Sequence, residues 1–243
     1  YAGWFGLSFD AVRIVSPFIG GGFGSKAQGL PHSAAAAIAA KMLGRPVKLA
    51  VTRPQTFTAY GGRPATRQTL RLGAAADGRL LALDHDAASE TSVTGTFTET
   101  LGIVTKMMYA VPNLSSRQNV VPVNTVLPGP FRAPGKNPSA FAFECAVDEL
   151  AVELGMDPVD LRRVNEPDHD FETGKPWSSR RLLKCYDVAG EAFGWAGRNP
   201  APRSMREGRQ LIGWGMAVGT HPVYAAPGEA TVRLLANGSV EVS

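Results

Sequence analysis

Four glycines around one phenylalanine, Gly20-Gly21-Gly22-Phe23-Gly24-Ser25-Lys26, constrain the backbone of this chain more than any other stretch. Glycine adopts positive φ without penalty and lets the main chain approach a partner closely. The run follows a β-branched segment, Val12 to Ile19, and precedes an alanine-rich stretch, about Ser33 to Leu43, closed by Gly44 and Pro46. The expected local order is a buried strand, a shaped loop and a helix. The loop reads equally as a tight turn or as a cradle of N–H groups for an anion or a charged cofactor. Two phosphate-binding patterns fail on spacing. A Walker A loop needs glycine directly before Lys-Ser/Thr, whereas Ser25 precedes Lys26 and Ala27 follows it. A dinucleotide fingerprint needs glycine at 20, 22 and 25, and position 25 is Ser25.

The second distinctive loop is Phe131-Arg132-Ala133-Pro134-Gly135, stiffened by Pro128, Pro130, Pro134 and Pro138. Taken alone it reads first as structural, with Arg132 paired to Glu144 or Asp148. A second reading holds the guanidinium fixed as a donor to an oxyanion. The helix after it, Ser139 to Leu154, has apolar positions at Phe143, Val147, Leu150, Ala151 and Leu154, an i, i+4, i+7, i+8, i+11 stripe. Asp157-Pro158 opens another helix with a cap and a first-turn proline. Gln68 to Gly73 and Leu80 to Ala88 form a hairpin turning at Asp77-Gly78. Strands are also expected at Val47 to Val51, Arg117 to Val126, Gln210 to Val218 and Thr231 to Leu235, the last turning at Asn237-Gly238. Helices are expected at Arg180 to Phe193 and, ambiguously, Thr100 to Tyr109. Without regular βαβ alternation, the fold class is α+β, with mixed sheets and packed helices.

The 243 residues suffice for one large domain or two small ones. With 44% hydrophobic and 19% charged residues the chain is globular rather than disordered. Its net charge of +4 comes from scattered residues such as Arg67, Arg71 and Arg79, a solvated surface rather than a nucleic-acid stripe. No apolar run approaches the ~20 residues of a membrane span. Cys145 and Cys185 form no CxxC pair and are expected as buried thiols, which argues against a zinc or iron–sulfur site of the chain's own. His32, His85, His169 and His221 lack metal-ligand spacing, although His221 and Tyr224 are candidates for lining a pocket. Trp177, Trp195 and Trp214 are expected in packing roles. Both ends, Tyr1 and Ser243, look cut from a longer sequence, with Arg198 to Arg209 as linker.

In order along the chain, Val12-Arg-Ile-Val-Ser-Pro-Phe-Ile-Gly-Gly-Gly-Phe-Gly-Ser-Lys26, Gly61-Gly62-Arg63-Pro64, Phe131-Arg-Ala-Pro-Gly135, Ala146-Val-Asp-Glu-Leu-Ala151 and Asp157-Pro-Val-Asp-Leu-Arg-Arg-Val-Asn165 resemble one family. It is the molybdopterin-binding large subunit of xanthine dehydrogenase/aldehyde oxidase-type hydroxylases, in its bacterial aldehyde oxidoreductase form. The resemblance implies a partial molybdopterin-binding domain, with residues 1–197 in a first region and 198–243 as linker and start of a second. It implies a molybdenum–molybdopterin cofactor, cytosine dinucleotide in form for bacterial members, and iron–sulfur clusters and FAD in partner subunits. The implied reaction is hydroxylation of an aldehyde or N-heteroaromatic with oxygen from water, aided by a glutamate base.

Carried over by resemblance, Gly21, Gly22, Phe23, Gly24, Ser25, Arg132 and Ala133 bind the cofactor. No side chain ligates the metal directly, but Phe23 and Arg132 lie near molybdenum. Arg132 orients the substrate, and Arg63 matches a substrate-pocket position. Three departures bear on substrate and activity. Ala27 stands where purine oxidisers carry an acidic residue, which disfavours a purine. No cysteine lies between residues 20 and 27, unlike carbon monoxide dehydrogenases. The Gly-x-Gly-Glu context of the family's base is absent, and Glu229 in Pro227-Gly228-Glu229 reads as an ordinary carboxylate. An alternative therefore stands beside the enzyme subunit: a non-catalytic fragment or scaffold that keeps the fold and docks to partners. The default compartment is the cytoplasm, or the periplasm if a partner carries the export signal.

Overall fold

The computed structural model describes residues 1–171, 173–223 and 226–242. Its centre is a three-stranded sheet in the order β1 (Thr66–Ala74), β2 (Leu80–Ser92), β3 (Asn113–Val123). β1 and β2 pair antiparallel, from Thr66 opposite Ser89 to Leu72 opposite Leu83. They turn at Asp77-Gly78, where Gly78 has φ +87° and donates to the Ala75 carbonyl at 2.9 Å. β3 pairs parallel to β2, from Ala82 beside Asn113 to Ser92 beside Val123. Parallel pairing requires a crossover. Residues 93–112 supply it, and they carry Glu99 through the interior. Pro122 sits on β3, an edge strand, where its missing donor is tolerated.

Along β2, Leu83, His85, Ala87, Ser89 and Thr91 are buried in period two. The core joins β2, the crossover residues Val104, Met108 and Tyr109, and helix packing. Preceding helices are α1 (Ala2–Phe5), α2 (Pro31–Leu43) and α3 (Arg53–Ala59); α4 (Lys136–Leu154) is the longest and lies against β1. It buries Phe143, Val147 and Ala151, and a fully buried residue of Phe143 or Val147 size stabilises by about 1.5–3 kcal/mol. α5 (Pro158–Val164) starts at Asp157, whose side chain accepts from Val159 N, and α6 (Leu182–Phe193) buries Tyr186.

A buried polar network locks these helices together. Arg162, fully buried, donates from Nε to Glu144 Oε2 at 3.0 Å and from Nη1 to Asp148 Oδ1 at 2.8 Å. Val218 N donates to Glu144 Oε2 at 2.7 Å, and the Tyr109 hydroxyl donates to Glu144 Oε1. Burial, then the Glu144 charge, holds the Tyr109 phenol well above its usual range, so it remains a donor. Removing one partner of such a buried pair costs about 3–5 kcal/mol, because the other charge is left uncompensated.

The α+β class is as expected, and so are the hairpin, the long helix and the Asn237-Gly238 turn, which joins β6 (Val232–Leu234) to β7 (Val240–Val242). Other expectations are corrected. Val12 to Ile19 is neither strand nor buried: Ile14 is 67% and Phe18 93% exposed. β-branched residues form a strand only beside a partner edge, and no described strand runs next to them. Val47 to Val51 likewise lacks strand structure, and of Gln210 to Val218 only Gln210–Leu211 is one, β5, paired with β4 (Arg206–Glu207). Thr100 to Tyr109 contains one 3-10 turn, Leu101–Ile103, rather than a helix. Helix α3, begun by a Thr52–Gln55 capping box, was not anticipated. Cys145 and Cys185 are free and exposed, because their positions on α4 and α6 face away from the core. Tyr224 lies outside the described residues, and His221 is exposed with Nδ1 against the Pro222 carbonyl. Among the described residues no helix is long and apolar enough to cross a membrane.

Candidate functional site

The glycine-rich loop closes on itself. Ser25 donates to the Gly22 carbonyl from both N (2.9 Å) and Oγ (2.8 Å), and Ala27 N reaches the Gly24 carbonyl at 3.0 Å. Lys26 Nζ ties the loop back to the Ile19 carbonyl at 2.6 Å. These bonds occupy carbonyls and leave amides unclaimed: the N–H groups of Gly21, Gly22, Phe23 and Gly24 have no acceptor among the described residues. Phe23 itself is 64% exposed.

The proline-flanked loop meets this one directly. Arg132 N donates to the Phe23 carbonyl at 2.6 Å. At Gly24, with φ +100°, a Cβ would stand 3.0 Å from the Pro130 carbonyl oxygen, so a side chain there would be both strained and tightly crowded. The Gly61-Gly62 segment joins from the other side. Gly129 N donates to the Gly62 carbonyl at 3.1 Å, and a Cβ on Gly61 would stand 1.8 Å from the Leu127 carbonyl oxygen. Three motifs far apart in sequence thus form one cluster. Two of the three described non-glycine residues with positive φ lie in it, Phe23 at 51° and Ala133 at 57°. Such conformations cost on the order of 1–3 kcal/mol each and persist where surroundings hold them, commonly at functional sites.

The two arginines differ sharply. Arg63 is engaged: Nη1 meets Glu99 Oε1 at 2.6 Å, and Nη2 donates to the Phe131 and Arg132 carbonyls, each at 2.6 Å. Arg132 is exposed, and its guanidinium has no hydrogen-bond or ion-pair partner among the described residues. Glu144 and Asp148, its expected structural partners, are engaged by Arg162 instead. Sequence reasoning missed Glu99. It is fully buried, its Oε1 also accepts from Gly135 N at 2.8 Å, and its Oε2 has no partner among the described residues. Gln118 on β3 grips the Glu99 carbonyl at 2.5 Å and accepts from Leu101 N at 2.9 Å.

Residues 1–166 match the family model described as the molybdopterin cofactor-binding domain. The chain belongs to that family. Its relatives are molybdenum oxidoreductases. The aldehyde oxidoreductase molybdenum-binding subunit PaoC of Escherichia coli is 37% identical over 234 residues, covering 96% of this chain and 32% of the relative. The solved aldehyde oxidoreductase from Desulfovibrio gigas superimposes with a TM-score of 0.64 at 30% identity, over 73% of this chain and 20% of that one. Quinoline 2-oxidoreductase from Pseudomonas putida gives 0.67 at 26% identity, over 74% and 24%. The chain therefore spans about a third of the length of the curated relative.

The cluster in this member of the molybdopterin cofactor-binding domain family fits an anionic pterin cofactor. It offers unclaimed backbone amides in a glycine cradle, a guanidinium free of internal pairs, and left-handed backbone at two non-glycine residues beside them. No other part of the described structure combines these features.

Proposed function

We propose that the chain is part of the molybdenum-cofactor subunit of a hydroxylase that oxidises aldehydes or N-heteroaromatics with oxygen from water. The observation that carries this reading is the bond from Arg132 N to the Phe23 carbonyl, which joins the two motif loops into one surface. When bound, the cofactor supplies the oxidising metal centre. The chain's own residues do the rest. Amides of Gly21, Gly22, Phe23 and Gly24 hold the cofactor's anionic periphery, with Ser25 bracing the turn and Ala133 shaping the facing loop. Phe23, whose ring is exposed beside the cradle, would cover the bound cofactor and exclude water. Arg132 donates to a substrate oxygen or ring nitrogen and orients it. Arg63 belongs to the site through its bonds to the Phe131 and Arg132 carbonyls.

Aldehydes are favoured by the relatives' printed names and by Ala27, which offers no acidic group for a purine. The proposal extends to a cytosine dinucleotide form of the cofactor, iron–sulfur and FAD partner subunits, and a cytoplasmic complex. It also divides the chain at residue 197 into a first region and the start of a second.

Arg132→Lys in the full-length protein tests the reading. Lysine keeps the charge but loses the planar fork, and turnover of an aromatic aldehyde should fall on the order of 100-fold while the melting midpoint holds. An unchanged rate refutes the role of Arg132, and equal loss of soluble protein marks a structural one.

A further inference from the structure

The carboxylate of Glu99 lies fully buried on the crossover between β2 and β3. A lone buried charge is unfavourable unless paired and hydrogen-bonded. Here Arg63 pairs with Oε1, and the same oxygen accepts from Gly135 N, where α4 begins. The other arm of the Arg63 fork holds two successive carbonyls, Phe131 and Arg132. The bonds therefore grip the Phe131–Gly135 loop at both ends, with the left-handed Ala133 between them. Gln118 anchors the Glu99 main chain to β3, so the grip is referred to the rigid sheet. Arg63 cannot both make these bonds and offer the same donors to a ligand.

We propose that Arg63 and Glu99 are positioning residues: together they clamp the Phe131–Gly135 loop onto the central sheet, hold Ala133 left-handed, and so aim the free Arg132 guanidinium. The proposal rests on the reading of that loop as a cofactor- and substrate-facing one. It moves Arg63 from contact with substrate to action through Arg132. Lysine at position 63 retains the pairing with Glu99 but cannot span both carbonyls, since it lacks the fork. Glutamine at 99 keeps the shape and an acceptor but removes the charge.

The test uses the full-length protein from a host that makes the cofactor, with Arg63→Met, Arg63→Lys, Glu99→Gln and, as a marker of the loop reading, Arg132→Lys. Hydrogen exchange of residues 131–136 is read on cofactor-free protein, and molybdenum per chain, kcat and KM on loaded protein. Arg63→Met should speed exchange at Gly135 by about tenfold or more, the loss of a charge-assisted bond, with the β2–β3 ladder unchanged. Molybdenum content and kcat should fall together, and Arg63→Lys should recover part of each. Glu99→Gln should loosen the same amide to a smaller extent, and it decides the matter if Arg63→Met is insoluble. Unchanged exchange at Gly135, or exchange rising equally in the β2–β3 ladder, overturns the clamp. If Arg132→Lys is impaired while Arg63→Met keeps full molybdenum and kcat, the clamp has no role at the site and the inference alone fails. If Arg132→Lys also behaves as the parent, the loop reading fails, while the exchange data still report on the clamp.

Discussion

At Gly135 a Cβ would stand 2.1 Å from the Thr100 carbonyl oxygen, on a residue whose φ is +74°. The left-handed region alone costs an L-residue roughly 1–2 kcal/mol, and the clash must be relieved by moving either the crossover or the start of α4. Gly135→Ala should therefore lower the melting midpoint of the full-length protein clearly, and molybdenum content with it. Gly62→Ala makes the control, because a Cβ there meets nothing within 4 Å and no positive φ is involved. Equal midpoints for the two variants would show that the Glu99 crossover yields more easily than its packing suggests. Both glycines stand in motifs visible in the sequence, yet nothing local distinguishes them. Glu99 was illegible for the same reason: in Phe97-Thr98-Glu99-Thr100 it reads as a surface carboxylate, and its partner Arg63 lies 36 residues away.

Among the elements, the β1–β2 hairpin was legible from its Asp77-Gly78 turn, a local signal, although β2 runs on to Ser92, past the expected end at Ala88. What the turn does not disclose is a buried histidine within β2. His85 is fully buried, its Nε2 against Gln68 Oε1 at 3.1 Å and its Nδ1 without a partner among the described residues. Burial holds its imidazole below the usual value, against the opposing pull of Asp84 and Asp86. In the unfolded chain a histidine takes up a proton near pH ~6.5. As pH falls through that value, the unfolded state binds a proton that the folded state resists, so stability declines toward acid. Thermal melting between pH ~7.5 and ~5.5 should show this decline, and His85→Gln should flatten it relative to its own neutral midpoint. Parallel curves for parent and variant would remove His85 from the account. The opposite lesson comes from Val12 to Ile19, whose residues are strand formers without a partner strand.

For the molecule as a whole, the exposed apolar side chains matter most. Phe9 is 86%, Phe18 93%, Met42 81% and Phe57 70% exposed, all in the first sixty residues. Apolar surface on this scale marks an interaction face or an aggregation liability. The 243-residue chain expressed alone should therefore self-associate and hold molybdenum well below one per chain. These 243 residues hold no Gly-x-Gly-Glu, the context the resemblance implies for a glutamate base, and general-base catalysis contributes ~100- to 10,000-fold, so turnover by them alone should be slight. Light scattering with metal analysis, after expression in a host that makes the cofactor, checks both statements. A monomer with stoichiometric molybdenum and steady aldehyde turnover would contradict them.

By itself the sequence determined what neighbours along the chain decide: the α4 stripe, the hairpin at Gly78, the Asp157 cap, and the two loops whose glycines and prolines restrict φ within a few residues. It also carried the motifs that place the chain in its family. Tertiary structure decided which charges pair and which stay free. Glu144 and Asp148 took Arg162 rather than Arg132, and Glu99 took Arg63, because the crossover and α5 bring those groups within 3 Å inside a low-dielectric interior. Charge pairing depends on distance through space, which periodicity and composition do not encode. The freedom of Arg132 is a consequence of that pairing.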